Sequence, residues 1–350
     1  LWVAYALLMA LTGFVSAWLA IRARPDSADG STIRINGDVV EVGKSVSSKT
    51  ARRVAVVISL IVGVIFGSQF NANWSEILFM FNAQSFGTTD PQFGLDNGFY
   101  VFVLPGLKLV LAAVAMLLGV GLVFSVVTHV LMGGIRITMP VNGRGLFSIT
   151  KRCRRQLGIW LMLNMFAWAV RQMIGVFDQL TVQGSRITGA SYTAVHANIP
   201  VTFIMAALTA ILGVVLGIWL MRSHTLEGQA SIGVRASAAL KAWRVPVTSI
   251  AVVVVVGLVL TVAWPVLLQR FRVNPNAQEM ESTYIQRNID ATRAAYGLDK
   301  LKTEQYKVTD KGEQGALAKE GDTTAQIRLL DPQVVSPTFK QLQQSKQYYT

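Results

Sequence analysis

Six long apolar stretches dominate this chain, and each is long enough to cross a lipid bilayer. A hydrocarbon core of ~30 Å requires about 20 residues of helix. Charged residues make up only 15% of the chain, against roughly 25% in an ordinary soluble domain. The pattern predicts an all-α polytopic membrane helix bundle. The predicted spans are residues 1–21, 54–70, 107–132, 157–177, 200–221 and 245–268.

The loop between the third and fourth predicted spans, Arg136–Arg155, fixes the orientation of the bundle. It contains six Lys or Arg residues and no acid, and basic residues beside a span resist translocation. The predicted cytoplasmic loops hold 17 Lys and Arg residues, whereas the two predicted outer connections hold one, Arg186. The cytoplasmic loops are 22–53, 134–156 and 222–244, and the extracytoplasmic segments are 71–99, 178–199 and 270–350.

The orientation places Leu1 at the outer face, so we expect one further span before it in a longer protein. After residue 269 the composition changes, because residues 270–350 hold 12 basic and 10 acidic side chains and no apolar run of membrane length. We predict that 1–269 forms the bundle and that 270–350 begins an extracytoplasmic domain of α/β type. Ile327–Leu330 is a candidate strand.

Several short patterns predict local structure. Trp74 lies in a helix predicted at 72–82, which rests in the outer interface or packs on the bundle. Trp264-Pro265 predicts an interfacial anchor and a helix stop at the end of the sixth span. Asn274-Pro275 predicts a helix start, with Asn as the cap and Pro in the first turn, and Ser336-Pro337 predicts a second one.

Three loop features complete this local analysis. Asn36-Gly37 lies between alternating apolar residues and predicts a hairpin. Asp90–Gly94 predicts a turn, and the alternative for Asp90 and Asp96 is a loose calcium loop. Lys108, at the outer end of the third span, is expected to reach the headgroups along the surface of the span.

The sequence excludes several functional classes. It has no Walker loop, no G-x-S-x-G and no H-E-x-x-H, so we expect no enzymatic activity and no cofactor. The single cysteine, Cys153, cannot form an intramolecular disulfide, and the three histidines fall on two predicted sides of the membrane, so no metal site is expected. The net charge of +13 lies in loops beside spans, which excludes a nucleic-acid partner.

Arg171 is the one charge well inside a predicted span. Asn164, Arg171 and Asp178 are seven residues apart and share one helix face. A charge at mid-depth costs about 3 kcal/mol or more on insertion scales, and it marks a functional site by default. The alternative is that Arg171 extends to the outer headgroups and pairs there, because Asp178 lies roughly 10 Å further along the helix.

Six stretches stand out as specific motifs. They are Asp90–Tyr100 (DPQFGLDNGFY), Gly133–Thr138 (GGIRIT), Gly189–Thr193 (GASYT), Trp264–Pro265, Val273–Leu298 (VNPNAQEMESTYIQRNIDATRAAYGL) and Ile327–Gln344 (IRLLDPQVVSPTFKQLQQ). Together they resemble the large uncharacterised multi-pass membrane proteins of high-GC Gram-positive bacteria that carry an unknown-function (UPF) label. The resemblance implies seven N-terminal spans and a large extracytoplasmic domain, and it supplies no catalytic residues. The loop Arg22–Arg53 lies outside the resemblance.

Two functions remain open. The first is a non-enzymatic envelope scaffold or binding protein in the cytoplasmic membrane that presents an outer domain. The alternative is a conduit or carrier for envelope lipid or another anionic solute, with Arg171 in its path. The expected partners are the lipid bilayer, anionic lipid headgroups, and other envelope proteins or a second copy of the chain. The spans contain no Asp or Glu, which disfavours transport coupled to protons or sodium.

Overall fold

The described part of the protein contains six helices that are long and apolar enough to span a membrane. The computed structural model describes residues 2–23, 31–35, 38–42, 47–71, 73–137, 147–182, 188–223, 232–305, 315, 321, 325 and 331–343. The candidate spans within those residues are Trp2–Arg22, Ser48–Ser68, Phe99–Leu131, Lys151–Leu180, Ala194–Arg222 and Trp243–Ala295. The prediction of a multi-pass helical membrane protein is therefore confirmed.

The chain divides into two compact units, Leu1–Tyr296 and Gly297–Thr350. The first contains nine α-helices among its described residues, several of them extended by short π or 3-10 turns. These are α1 (Trp2–Arg22), α2 (Ser48–Asn71), α3 (Trp74–Phe81), α4 (Leu104–Leu131), α5 (Lys151–Gly175), α6 (Ile199–Arg222), α7 (Ile232–Leu258), α8 (Trp264–Leu267) and α9 (Ala277–Ala295). We call the basic end of the bundle the end at which α1, α4 and α6 finish and α2, α5 and α7 begin.

Two short antiparallel hairpins lie in connections at the basic end. Strands β1 (Ser31–Ile35) and β2 (Asp38–Val42) pair with Ile33 opposite Val40. This confirms the two predicted strands, and the turn residues Asn36 and Gly37 lie outside the described residues. The second hairpin was not predicted and pairs β3 (Ile135–Ile137) with β4 (Phe147–Ile149).

The spans pack in close pairs at small residues. At Gly63 of α2, an added Cβ would lie 2.5 Å from the carbonyl oxygen of Ala6 and 3.1 Å from the Cβ of Ala10, both in α1. Gly217 of α6 likewise faces Met162 and the backbone of Gly158 in α5. Small residues let the backbones of two helices approach closely. Close packing matters in a membrane because no hydrophobic effect drives helices together there.

A buried polar chain joins three spans near the basic end. The side chain of Gln156 in α5 donates a hydrogen bond to the carbonyl of Ser16 in α1 (2.9 Å) and contacts the ring of His129 in α4 (3.0 Å). Ser16 in turn donates to the carbonyl of Gly121 in α4. Buried polar groups require such partners, so these contacts fix the relative register of α1, α4 and α5.

The predicted interface helix is present as α3, two residues shorter at its start and one at its end. It buries Ile77 and packs on α4 at Gly106, where an added Cβ would lie 2.8 Å from the carbonyl of Glu76. Trp74 is 52% exposed and Phe81 is 77% exposed. The hypothesis that this helix packs on the bundle is therefore confirmed, and its other face presents an apolar surface outward.

The prediction that Trp264-Pro265 stops the helix of the sixth span is wrong. Helical turns run without a break for 53 residues from Trp243 to Ala295. A π-helical turn at Val259–Ala263 precedes the proline, and a second one at Leu268–Val273 follows α8. Proline cannot donate to the carbonyl four residues back, and a wider turn is one recognised way for a helix to absorb that mismatch.

The prediction that Asn274-Pro275 starts a helix with Asn as its cap is also wrong. The backbone of Asn274 is already helical, with φ −61° and ψ −40°. Its side-chain oxygen accepts from Gln269 (3.0 Å) and does not cap the turn that follows. Proline is tolerated here because the 3-10 turn Asn274–Asn276 connects two helical segments. The last segment of this helix, α9, ends before Gly297, which has φ 67°.

The unit Gly297–Thr350 contains a helix α10 (Pro332–Gln343). It begins four residues before the predicted start at Ser336, and Pro337 lies in its interior. The Asp331 carboxylate accepts the backbone N–H of Gln333 (2.9 Å), so the combination of cap and proline acts one turn upstream of the predicted site. The candidate strand Ile327–Leu330 lies outside the described residues.

Candidate functional site

The most densely connected polar contacts lie at the end of the bundle opposite to the basic end. Three segments meet there, and together we call them the junction. They are the turn at residues 84–100, the segment 188–193 and the helical stalk, which we define as Trp264–Ala295. The motifs singled out in the sequence at 90–100, 189–193 and 273–298 all fall within or beside the junction.

Asp90 organises the first of these segments. Its carboxylate accepts the backbone N–H groups of Gln92 (2.8 Å), Phe93 (2.7 Å) and Leu95 (3.0 Å) and the hydroxyl of Tyr100 (2.7 Å). Burial raises the pKa of Asp90, but these four hydrogen bonds outweigh it and the net pKa is lowered. The predicted turn is present, and its carboxylate is anionic at neutral pH.

Asp96 fixes the other side of the same turn. It accepts from the Ser85 hydroxyl (2.6 Å) and from the backbone N–H groups of Phe86, Gly87 and Gly98. These donors, with Ser85 first, lower its pKa to about 2. The oxygens of Asp90 and Asp96 thus receive N–H and O–H donors, which is turn chemistry and not the converging oxygen set of a calcium loop. No group of three or more His, Cys, Asp or Glu among the described residues is placed to hold a metal ion.

An aromatic cluster attaches this turn to the fourth span. The rings of Phe93 and Phe99 meet the ring of Phe177 edge-on, with centroids 5.0 Å and 5.3 Å away, and Tyr100 lies 6.2 Å from it. Phe177 belongs to the 3-10 extension of α5, Val176–Leu180. The edge-to-face geometry is the favoured one for aromatic pairs, so the turn is held on a span and does not hang free.

The stalk contacts the other two segments of the junction through three hydrogen bonds. Glu281, only 5% exposed, accepts the backbone N–H of Tyr192 (3.0 Å). Asn288 donates to the carbonyl of Thr188 (2.8 Å) and Arg287 donates to the side chain of Gln92 (3.2 Å). Residues 281 and 288 are seven apart and therefore lie on one face. We call these three hydrogen bonds the brace.

Tyr192 makes one hydrogen bond of the brace and several ring contacts beside it. Its ring stacks on His196 with centroids 4.0 Å apart and meets Tyr284 of the stalk edge-on at 6.3 Å. The guanidinium of Arg272 lies 5.7 Å from the same ring, within the range of a cation–π contact. Tyr192 therefore contacts the stalk at three residues, Glu281 through its backbone and Tyr284 and Arg272 through its ring.

A second polar chain lies lower on the stalk. Thr193 donates to the side-chain oxygen of Gln269, and Gln269 donates to Asn274 (3.0 Å). Thr193 is buried, so this hydrogen bond is shielded from solvent. The chain ties the start of the stalk to the segment that also carries the brace.

The three residues predicted to form a functional face do not come together. Asn164 donates to the carbonyls of Leu118 (3.1 Å) in α4 and Trp160 (2.8 Å), so it holds two helices together. Asp178 forms an ion pair with Lys108. Lys108 therefore pairs within the bundle, and the predicted pairing of Arg171 with Asp178 is wrong.

Arg171 is exposed on the surface of α5, and within the described residues it has no hydrogen bond or ion pair. Its neighbour Gln172 instead turns inward and donates to Thr209 in α6 (3.2 Å). Trp264 is about half exposed on the continuous helix, and Pro265 and Pro275 lie within that helix. Asn274 contributes through the contact with Gln269.

Sequence reasoning missed Tyr192 and Glu281. Both lie in segments that were singled out as motifs, but neither residue type carries a signature of its own there. The only signal was that the predicted topology brings 178–199 and the segment after the sixth span to the same side of the membrane. The contact between them is tertiary and depends on the rotational position of the stalk.

Comparison with known proteins gives the chain a family context. All residues, 1–350, match the uncharacterised protein family UPF0182. A UPF0182 protein of Bifidobacterium adolescentis is 78% identical over 350 residues, and one of Kocuria rhizophila is 36% identical over 352. A third, from Corynebacterium diphtheriae, is 33% identical over 356 residues.

Each of these matches includes the whole of this chain, but only 32% or 33% of the relative. The chain thus spans about a third of the length of the curated relatives it matches. The match also includes the loop Arg22–Arg53, which the motif resemblance had left out. No solved structure matches the chain.

Proposed function

This chain belongs to the uncharacterised protein family UPF0182, and on that premise we propose that it is a non-enzymatic membrane scaffold that presents an outer domain. The single observation that carries the proposal is the braced stalk. A helix of 53 residues rises roughly 80 Å at 1.5 Å per residue, far more than a ~30 Å hydrocarbon core requires. Part of it must therefore project from the bilayer.

The orientation of the scaffold follows from charge. The basic end carries the loops 22–53, 134–156 and 222–244, which we place in the cytoplasm. The junction then faces outward, and the predicted extracytoplasmic α/β-type domain, which begins at residue 270, includes the stalk from that residue onward. The outer domain is where we expect other envelope proteins or a second copy of the chain to bind.

The brace gives this arrangement a mechanical purpose. A span that ended at the headgroups would leave the following domain free to tilt and rotate. Glu281, Arg287 and Asn288 instead hold the stalk against the bundle at three points. Because a buried hydrogen bond to a charged group contributes about 1.5–3 kcal/mol, the contact of Glu281 with Tyr192 is the one we expect to dominate.

A cross-linking experiment on the full-length protein in its own membrane tests the scaffold. We expect the double variant Glu281→Ala, Asn288→Ala to insert at normal levels and to lose cross-links between its outer domain and envelope proteins. The matched control is Glu279→Ala, Arg293→Ala, which changes two exposed positions of the same helix. An unchanged cross-linking pattern in the brace variant would contradict the proposal.

The second candidate function is a conduit or carrier for envelope lipid or another anionic solute. The observation that favours it is the exposed Arg171, a charge in an apolar span with no ion pair among the described residues. An anionic headgroup would compensate that charge. Full-length protein in liposomes distinguishes the two functions, because the conduit predicts lipid or anion movement that Arg171→Gln abolishes, and the scaffold predicts none.

A further inference from the structure

A groove between the fifth and sixth spans lies at the basic end of the bundle. Its volume is about 400 Å³, within the usual range for small-molecule sites. Its walls are apolar side chains of α6 and α7, and one end is polar. The lining includes Val214, Ile218, Trp219 and Val245, with Arg222 and Ser223 at the polar end.

The polar end of the groove is held in place by a buried cation. Arg154 of α5 is fully buried and donates to the backbone carbonyl of Ser223. This contact fixes the end of α6, where Arg222 stands next to Ser223 and is exposed. Arg222 is therefore positioned by a packed backbone although its own side chain faces outward.

The two loops that precede α5 and follow α6 at the basic end are strongly cationic in sequence, with ten Lys and Arg residues in 134–156 and 222–244. Between residues 134 and 268 the sequence contains only two acids, Asp178 and Glu227. Asp178 is committed to Lys108 at the opposite end of the bundle. Glu227 lies outside the described residues, and it is the single acid in the sequence of the loops 134–156 and 222–244.

We propose that this groove binds an anionic phospholipid of the leaflet at the basic end, with an acyl chain against Val214, Ile218 and Val245 and the phosphate on Arg222. An apolar wall within a membrane span suits a hydrocarbon chain and excludes a polar solute. A basic pocket between spans is a recurrent site for anionic headgroups, and arginine can donate two hydrogen bonds to a phosphate. The site goes beyond the scaffold function and does not depend on it.

Native mass spectrometry of the full-length protein tests the site. The probes are dioleoyl phosphatidylglycerol and dioleoyl phosphatidylcholine, which share acyl chains and differ in charge. We expect wild-type protein to retain the anionic lipid preferentially. Arg222→Gln should weaken its binding roughly fivefold, because a basic residue near the membrane surface contributes about 1 kcal/mol.

Two further variants separate the groove from general charge. Arg53→Gln removes an exposed cation at the same end of the bundle but on α2, and it should leave the lipid preference unchanged. Val214→Trp should fill the groove and lower retention of both lipids. If Arg53→Gln and Arg222→Gln lower binding equally, the lipid responds to net charge and the proposed site is wrong.

A positional measurement completes the test. Phosphatidylglycerol with brominated acyl chains should quench the fluorescence of Trp219, identified as the difference between wild type and Trp219→Phe. Equal retention of the two lipids by wild-type protein, or absence of this quenching, would overturn the proposal. Since Arg222 is exposed, Arg222→Gln tests the site without disturbing the packing, even if Val214→Trp fails to fold.

Discussion

The paired spans and the long helix of the sixth span, Trp243–Ala295, are held by different physical means. We call this long helix the sixth helix. The pairs α1–α2 and α5–α6 meet along small residues over most of their length, and the candidate span Trp2–Arg22 has half of its most apolar window buried. The corresponding window of Trp243–Ala295 is only 6% buried. Its stalk is instead fixed by a few polar contacts at the junction. One region depends on shape along a whole interface, and the other depends on individual hydrogen bonds.

The largest expected effect comes from adding a methyl group to a glycine of a paired span. Gly63→Ala should destabilise the protein by about 1–3 kcal/mol, because the new Cβ would lie 2.5 Å from the backbone oxygen of Ala6. Gly257→Ala in the sixth helix is the matched control, since its Cβ would meet only the flexible end of Met205 at 3.1 Å. Thermal unfolding in detergent should show a lowered midpoint for Gly63→Ala alone. Equal midpoints would mean that the two regions do not differ in packing.

The next effect should come from the brace. Glu281→Ala removes the acceptor for the Tyr192 N–H, and we expect amide exchange there to accelerate roughly tenfold or more, because such a bond contributes about 1.5–3 kcal/mol. The global unfolding midpoint should hardly move. Hydrogen-exchange mass spectrometry of the segment 188–193 provides the measurement, with exposed Glu279→Ala as the control. Unchanged protection would show that ring contacts of Tyr192 alone hold the stalk.

A smaller effect is expected at the ion pair of Lys108 and Asp178. Their side chains are 38% and 43% exposed, so Asp178→Asn should cost only about 1 kcal/mol, as for partly exposed pairs. Arg171→Gln should leave unfolding unchanged, because Arg171 is not part of this pair. A double-mutant cycle with Lys108→Met measures the coupling. If Asp178 were coupled to Arg171 and not to Lys108, the ion pair of Lys108 would be contradicted and the pairing expected from the seven-residue spacing would be supported.

The smallest effect concerns pH at the turn. The folded pKa of Asp96 is about 2, below its ordinary value of 3.8, so the ionised form is favoured by folding. Its contribution is fully present above about pH 4 and is lost as the pH falls through 2. Exchange protection at Gly87 and Gly98, corrected for intrinsic rates, should therefore be flat at neutral pH and decline only in that acid window. In Asp96→Asn protein the acid step should be absent.

The spans could be predicted because their physics is local. A run of about 20 apolar residues can span a bilayer regardless of what packs against it. A glycine such as Gly63 or Gly217 indicates a packing face because it has no side chain. The continuity of the sixth helix through its two prolines could not be predicted in this way. Trp264-Pro265 and Asn274-Pro275 are ordinary stop and start signals in water, but here the helix absorbs both prolines with π and 3-10 turns.

The candidate site was harder to predict because its contacts are distant in the sequence. Spacing by seven correctly placed Asn164 and Arg171 on one helix, but it could not show that Lys108, 70 residues before Asp178, takes the carboxylate. The contact of Glu281 with Tyr192 spans 89 residues. Only the tertiary fold brings the two partners of each contact together, and the preferences of single residue types do not indicate these contacts.

The π turns of the sixth helix have a consequence for its rotational phase. Each π turn closes its hydrogen bond over one residue more than an α turn, so the turns at Val259–Ala263 and Leu268–Val273 shift every later side chain around the axis. One residue corresponds to about 100° of rotation in an α-helix. If Val259–Ala263 closed as ordinary α turns with all its residues retained, Glu281 would be rotated about 100° away from Tyr192 although every residue of the brace remained. The side of the stalk that faces the bundle is thus set by the hydrogen-bond pattern of the helical turns before it.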